Sequence, residues 1–364
     1  MKSSRSRFGL VLVAAGCLAA LSVIAAGCGG GGGGGPKIAL LLPESKTSRY
    51  EAHDRPEFEA KVEEICEDCE IIYSNANQST SEQQSQAEAA LTQGAEVLVL
   101  DAVDATAVGS VVKKANEEEV PVISYDRLVL GAPINYYISF DNEKVGELQA
   151  ETLSKKLKEE GSPSGPIVMI NGSPTDPNAG QFKAGATKVF ESEGVDVAKE
   201  YDTPDWSPDQ AQNEMQQAIT ALGKNGFAAT YAANDGTAGG AIAAMKSAGI
   251  EPKSKPTTGQ DAELEAIQRI LAEEQFMTVY KAIEPEANAA AEMAVALAEG
   301  EKVPSGLVNG KIDNEAEEVP SVLLEPVAVT RENINDTIVK DEFWKTSEIC
   351  TGPYKKACEE VGIE

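Results

Sequence analysis

Polar residues of opposite charge recur just beyond short apolar runs in this 364-residue chain. Asp126 and Arg127 follow "VPVISY", Asp176 and Asn178 follow "PIVMINGSP", Asn234 and Asp235 follow "FAATYAA", Asp261 follows "KPTTGQ" and Lys281 follows "FMTVY". Carboxylates accept hydrogen bonds from hydroxyls, Arg and Lys donate to them, and Asn does both. Such charge-assisted bonds contribute about 1.5–3 kcal/mol each. Asp and Asn are also common helix caps and turn formers, but Arg127 and Lys281 do not cap helix N-termini. The set as a whole suits a neutral, hydroxyl-rich solute.

The stretch "NDGTAGGAI", beginning at Asn234, tests that reading. It carries no lysine after its glycines and lacks the three spaced glycines of a dinucleotide turn, and Asp235 would repel a phosphate. We expect a helix start with Asp235 or Thr237 near its cap and glycines that permit close packing. Asn234 and Asp235 then offer amide and carboxylate groups to hydroxyls.

The elements that must position these residues alternate along the chain. Continuous apolar runs such as "KIALLLP", "EVLVLDA" and "PIVMINGSP", with "KPTTGQD" counted among them, suit strands covered on both faces. Helix starts lie between them, at Ser79 with Glu82 three residues on, and at Ser207 followed by Pro208 and Gln210. Strand and helix in repeated alternation predict an α/β fold with parallel sheets. In such sheets the carboxyl ends of the strands lie along one edge, where open α/β folds bind ligands. Residues spread over more than 150 positions would therefore meet on one rim.

Residues 1–28 read as a secretory signal, with Lys2, Arg5 and Arg7 before an apolar run that closes in "AAGC". The ending resembles a bacterial lipobox, which makes Cys28 the lipidation site, and the glycines from Gly29 form a flexible tether. Removing the signal takes the formal net charge from −28 to −31. That balance argues against nucleic acid and anionic lipid as partners. Export makes disulfides the default for Cys66, Cys69, Cys350 and Cys358, with three pairings open. His53 is the only histidine and is expected at the surface, which removes most catalytic triads and zinc sites; no metal and no cofactor are expected.

Taken together, "YISFDNEKVGELQA", "SYDR", "NGSPTDPNA", "NDGTAGGAI", "TGQDAEL" and "TVYKAI" resemble the bacterial periplasmic xylose-binding proteins, from about Lys37 to Trp344. The resemblance implies a type I periplasmic binding fold: two Rossmann-like lobes joined by a three-segment hinge, with sugar in the cleft. It assigns 37–140 plus 282–304 to an N-terminal lobe, 141–281 plus 305–345 to a C-terminal lobe, and 346–364 to an extension after the signal (1–28) and tether (29–36). The chain would cross between lobes near Phe140, Lys281 and Pro304. By motif, the sugar contacts would be Arg49, Asp126, Arg127, Asn178, Asn234, Asp261 and Lys281, with rings from Trp206 and Tyr50. Tyr50 stands where the family usually has tryptophan, and the proline of "TDPNA" where it often has asparagine. Because the lobes must move relative to each other, local pairs Cys66–Cys69 and Cys350–Cys358 are preferred.

The resemblance also implies an extracytoplasmic, monomeric protein, held to the membrane only by its lipid, that delivers a monosaccharide, foremost D-xylose, to ABC permease subunits. Two other functions fit parts of the pattern. A sensor-docking protein would share the same site, and an exported glycoside-cleaving enzyme would use Asp126 and Asp261 as acid and base. The second conflicts with basic partners that keep carboxylates ionised, so no enzyme is expected.

Overall fold

The computed structural model describes residues 34–363; the apolar leader and Cys28 lie outside the described residues. Strand and helix alternate from the start: β1 (Lys37–Leu42), α1 (Arg55–Ile65), β2 (Glu70–Asn75), α2 (Thr80–Thr92), β3 (Val97–Leu100), α3 (Gly109–Glu117), β4 (Val122–Tyr125) and β5 (Tyr136–Phe140). The alternation continues through α4 (Asn142–Glu159), β6 (Ile167–Asn171), α5 (Pro177–Glu193), β7 (Val197–Asp202), α6 (Pro208–Leu222), β8 (Ala229–Ala232), α7 (Asp235–Ser247), α8 (Leu264–Leu271) and β9 (Met277–Tyr280). The chain ends with α9 (Ile283–Ala298), β10 (Gly310–Asp313), β11 (Glu318–Leu324), β12 (Val327–Thr330), α10 (Thr346–Ile349) and α11 (Lys355–Val361). This is the expected α/β fold.

A seven-stranded sheet in the order β10-β11-β5-β4-β3-β1-β2 forms the first lobe, parallel except at its β10–β11 edge. Its strands alternate sides in a way that explains their unbroken apolar runs. Ala39 and Leu41 of β1 join a core with α2 and α3, while Ile38, Leu40 and Leu42 join one with α1 and α9. The second lobe repeats the device around β7-β6-β8: Ile167 and Met169 pack under α4 and α5, Val168 and Ile170 under α6 and α7. Full cover on both faces is what makes every residue of β6 apolar up to its last.

Local signals act where the sequence puts them. Ser79 Oγ accepts from Glu82 N and Ser207 Oγ accepts from Gln210 N at the starts of α2 and α6. Among the glycines of "NDGTAGGAI", Gly240 carries the close packing: a Cβ there would lie 2.1 Å from the Pro208 carbonyl of α6. Both local disulfides form, Cys66–Cys69 after α1 and Cys350–Cys358 in the carboxyl-terminal segment.

Two expectations change. "KPTTGQD" is not a regular strand; it runs as an extended segment between β8 and β9, bonding Thr258 N to Thr230 O and Val279 N to Gly259 O. Its side chains compete for the ladder, since Thr258 Oγ1 accepts from Ala232 N. The third passage between lobes also moves. Residues 305–324 were assigned to the second lobe, but β11 pairs in parallel with β5, and Asn314 Nδ2 ties the β10–β11 turn to the Val129 and Ala132 carbonyls of the first. The chain crosses only after Leu324, where β12 pairs with β9.

Candidate functional site

The carboxyl ends of both sets of strands face one polar cavity between them. From the first lobe Thr47, Tyr50, Asp126 and Arg127 line it. From the second come Asp176, Asn178, Phe182, Trp206, Asn234, Gln260 and Asp261, and Lys281 enters where β9 leads back to the first lobe. Eight of the nine residues expected from the sequence meet here. The exception is Arg49.

Arg49 lies behind the wall as its support. It is 1% exposed, and its guanidinium donates to Asp54 through Nε (2.9 Å) and Nη2 (2.5 Å), to Glu286 Oε2 (2.8 Å) and to Asp126 Oδ1 (3.4 Å). Burial alone would lower its pKa, but the carboxylates of Asp126, Asp54 and Glu286 outweigh it and hold it well above its ordinary value. The two acids that share Arg49 respond oppositely. Burial pushes Glu286 up despite Arg49, whereas Asp126 resists its own burial because Arg49, Lys281 and Arg127 surround it and hold its carboxyl well below the usual range. Glu286 sits on α9 and Asp54 in the turn before α1, positions that no strand-end pattern marks.

Tyr50 does more than offer a ring. Its hydroxyl donates to Asp126 Oδ2 at 3.0 Å and accepts from Arg127 Nη2 at 3.1 Å, and both guanidinium groups lie within 6 Å of its ring centroid (5.3 and 5.7 Å). Arg127 spans the lobes, with Nε 3.1 Å from Asp176 Oδ2 and 3.5 Å from Asp101 Oδ1. Asp176 also caps α5 and accepts from Trp206 Nε1 at 3.0 Å, which fixes the indole. Gly172 makes room for that ring, since a Cβ there would lie 1.9 Å from Trp206 Cη2. Asp176 is one of the strand-end residues but not one of the sugar contacts that the resemblance implies; it caps α5 and orients Trp206 at once. Thr47, Phe182 and Gln260 carried no signal, being ordinary loop and helix residues.

Asn178 joins the lobes by donating to the Asp126 carbonyl (3.1 Å), and its own oxygen accepts from Asn142. Asn234 caps α7 through Oδ1, which accepts from Thr237 N at 2.9 Å. Among the described residues, two buried acceptors of this site are left without a hydrogen-bond donor, Asp261 Oδ1 and Gln260 Oε1. Lys281 Nζ holds Asp261 Oδ1 and Asp126 Oδ1 each at 3.4 Å, one carboxylate from each lobe. Buried polar atoms without partners are costly, so a site that keeps them is built to complete its bonds with something else.

Two expected placements are corrected. Asp235 does not face the cavity: it is fully buried on the inner side of α7, accepting from Gln275 Nε2 (2.6 Å), Thr278 Oγ1 (2.9 Å) and Glu263 N (3.0 Å). The first helical residue points back into the lobe because the cap position, Asn234, takes the edge. His53 is not at the surface but 8% exposed, stacked on Phe343 at 3.9 Å between ring centroids.

Burial pushes the Asp235 carboxyl up to about 7, with Asp261 adding to it and Arg269 opposing. The folded protein therefore holds a proton that the unfolded chain releases near its ordinary value of about 3.9. On this account stability falls as the pH rises from about 4 to 7, then levels. Melting curves of wild type and Asp235→Asn across that range are expected to show the variant losing less stability with rising pH; parallel profiles would refute it.

A family model described as a periplasmic binding protein domain matches residues 38–302. The chain belongs to the periplasmic binding protein family. It is 39% identical over 317 residues to the D-xylose-binding periplasmic protein of Escherichia coli (strain K12), covering 86% of this chain and 92% of that one. It is 33% identical over 283 residues to the multiple sugar-binding periplasmic receptor ChvE of Rhizobium radiobacter, covering 73% and 80%. Among solved structures it is similar to an ABC transporter solute-binding protein from Clostridium phytofermentans with bound β-D-glucose: TM-score 0.76, 26% identity, 86% of this chain and 99% of that one. The resemblance to the periplasmic xylose-binding group thus extends over most of the chain.

Proposed function

We propose that this periplasmic binding protein is an exported carrier that binds one monosaccharide, foremost D-xylose, between its lobes and presents it to an ABC importer. The observation that carries the reading is the polar cavity with two unsatisfied buried acceptors, Asp261 Oδ1 and Gln260 Oε1, beside cations held in place by the protein itself. A pyranose supplies hydroxyl donors for those acceptors and apolar C–H faces for the Trp206 and Tyr50 rings. Arg49, Tyr50, Asp126, Arg127, Asn178, Trp206, Asn234, Asp261 and Lys281 form the proposed site, with Arg49 acting through Asp126 and Asp261.

Glycoside cleavage is not supported by this geometry. A general acid needs a raised pKa, and the cations around Asp126 lower its own. The carrier would act as a monomer, without cofactor or metal, tethered through a lipid on Cys28 that leaves the lobes free to close. Names of related proteins support D-xylose; the glucose-bound neighbour and the multiple-sugar receptor make the aldose panel the right test.

Calorimetry with D-xylose, D-glucose, L-arabinose and D-galactose is expected to give one saturable site with D-xylose tightest. No heat with any of them would overturn the function, and tighter binding of another aldose would overturn the preference. Intact-mass measurement of membrane-extracted protein is expected to show a lipid on Cys28 that Cys28→Ser lacks; an unlipidated wild type removes the anchor.

A further inference from the structure

The turn that delivers Asp261 to the cavity is unusual in its backbone. Asp261 has φ of 96° and Ala262 φ of 52°, a region that residues with side chains seldom occupy and that must be held from outside. Three of the bonds that hold it come from the second lobe: Asp261 N to Val279 O (2.9 Å), Ala262 N to Thr278 Oγ1 (3.2 Å) and Glu263 N to Asp235 Oδ2 (3.0 Å). The fourth comes from far along the chain. Trp344 Nε1 donates to the Ala262 carbonyl at 2.8 Å.

Trp344 belongs to the segment after β12, which packs with α8 and the disulfide-stapled carboxyl-terminal helices of the second lobe. Its neighbour Phe343 reaches the other two elements that set the site. Phe343 stacks on His53 at 3.9 Å and 11° between planes, and His53 lies in the first-lobe turn that also carries Tyr50 and Asp54. It also meets the edge of Tyr280 at 5.0 Å, one residue before Lys281. Trp344 meets the edge of the same His53 ring at 4.6 Å. The unit touches the Asp261 turn, the approach to Lys281 and the Tyr50 turn, yet neither ring lines the cavity.

We propose that Phe343 and Trp344 form an aromatic clasp on His53 that joins the lobes outside the cavity, and that Trp344 is the positioning residue for Asp261. The inference rests on the proposed sugar site for its effect on affinity, but the clasp is a statement about contacts between lobes and stands without it. The carboxyl-terminal segment thereby contributes to binding: fixing the Ala262 carbonyl keeps the Asp261 carboxylate aimed at the cavity, and gripping His53 ties that segment to the turn that carries Tyr50.

Two measurements test it. Trp344→Phe keeps a ring and removes the N–H, so D-xylose binding should weaken roughly three- to tenfold, as for loss of one hydrogen bond. On an Asp261→Asn background the same change should cost almost nothing further, because the residue it positions is already impaired. Equal losses in both backgrounds would show a merely structural role and overturn the positioning. The second readout needs no sugar. His53 is the only histidine, so its ring protons give their own NMR signals, and Phe343→Leu should move them downfield as the stacked ring is lost. Unchanged signals would overturn the clasp. If wild-type protein binds none of the sugars, the proposed function fails, while the His53 signals still decide whether the lobes are clasped.

Discussion

Asp261→Ala is expected to lower D-xylose affinity by roughly 30-fold to several thousand-fold, the loss of one side of a buried charged hydrogen bond, about 2–5 kcal/mol. The size follows from what the variant leaves behind. Among the described residues Asp261 Oδ1 has no hydrogen-bond donor; it lies 3.4 Å from Lys281 Nζ and 3.8 Å from Arg49 Nη1. Without it, the sugar hydroxyls it would accept from are desolvated with no partner, and Lys281 keeps only Asp126 as a close counter-charge. Folding survives, because the side chain stands at the rim and contributes no apolar contact to a core. Titration of the folded variant with D-xylose decides the matter: affinity within threefold of wild type would make Asp261 a turn former only. Small-angle scattering adds the second half. The wild type should become more compact on adding D-xylose, since neither lobe alone surrounds the cavity.

Arg49→Met is expected to act on stability first. Its guanidinium is the shared counter-charge of Asp54, Glu286 and Asp126 in a region with almost no solvent. Removing one member of a buried ion network leaves uncompensated carboxylates and costs about 3–5 kcal/mol, here a fall of roughly 5–10 °C in melting temperature. Adding Glu286→Leu should restore part of that loss, because the second change removes one of the stranded acids. Thermal denaturation of the single and double variants checks both statements. An unchanged melting temperature in the single variant would mean the network contributes nothing net. In the folded fraction, D-xylose affinity should fall less than in Asp261→Ala, because Arg49 does not line the cavity and acts on it through Asp126 (3.4 Å) and Asp261 (3.8 Å).

The contrast between these residues marks how far the sequence reaches. Asp126, Arg127, Asn178, Asn234 and Lys281 were legible because strands covered on both faces have unbroken apolar runs, and polar residues just past those runs fall on one edge; Asp261 reaches the same edge from an extended segment that is no regular strand. The helix starts at Ser79 and Ser207 were legible because capping is local chemistry between residues two or three apart. Both disulfides followed from expected lobe motion, since a bridge between the lobes would oppose it.

What stayed hidden depends on contacts between distant segments. Glu286 and Asp54 converge on Arg49 only because α9 returns to the first lobe and packs beside α1. His53, in a charged stretch, is buried because Phe343, 290 residues later, stacks on it. The assignment of β10 and β11 failed for the same reason: an edge strand has no sequence mark naming the sheet it joins, and pairing of β11 with β5 decides it. Asp235 and Asn234 are adjacent with similar side chains, yet one caps the helix at the cavity and the other turns inward to Gln275 and Thr278. The sequence by itself determined the alternation of elements, the rim on which polar groups gather and the kind of solute they suit. Tertiary structure alone decided which of those groups face the cavity with bonds left to make and which are spent holding them, because that division is set by burial and by partners that periodicity and spacing do not record.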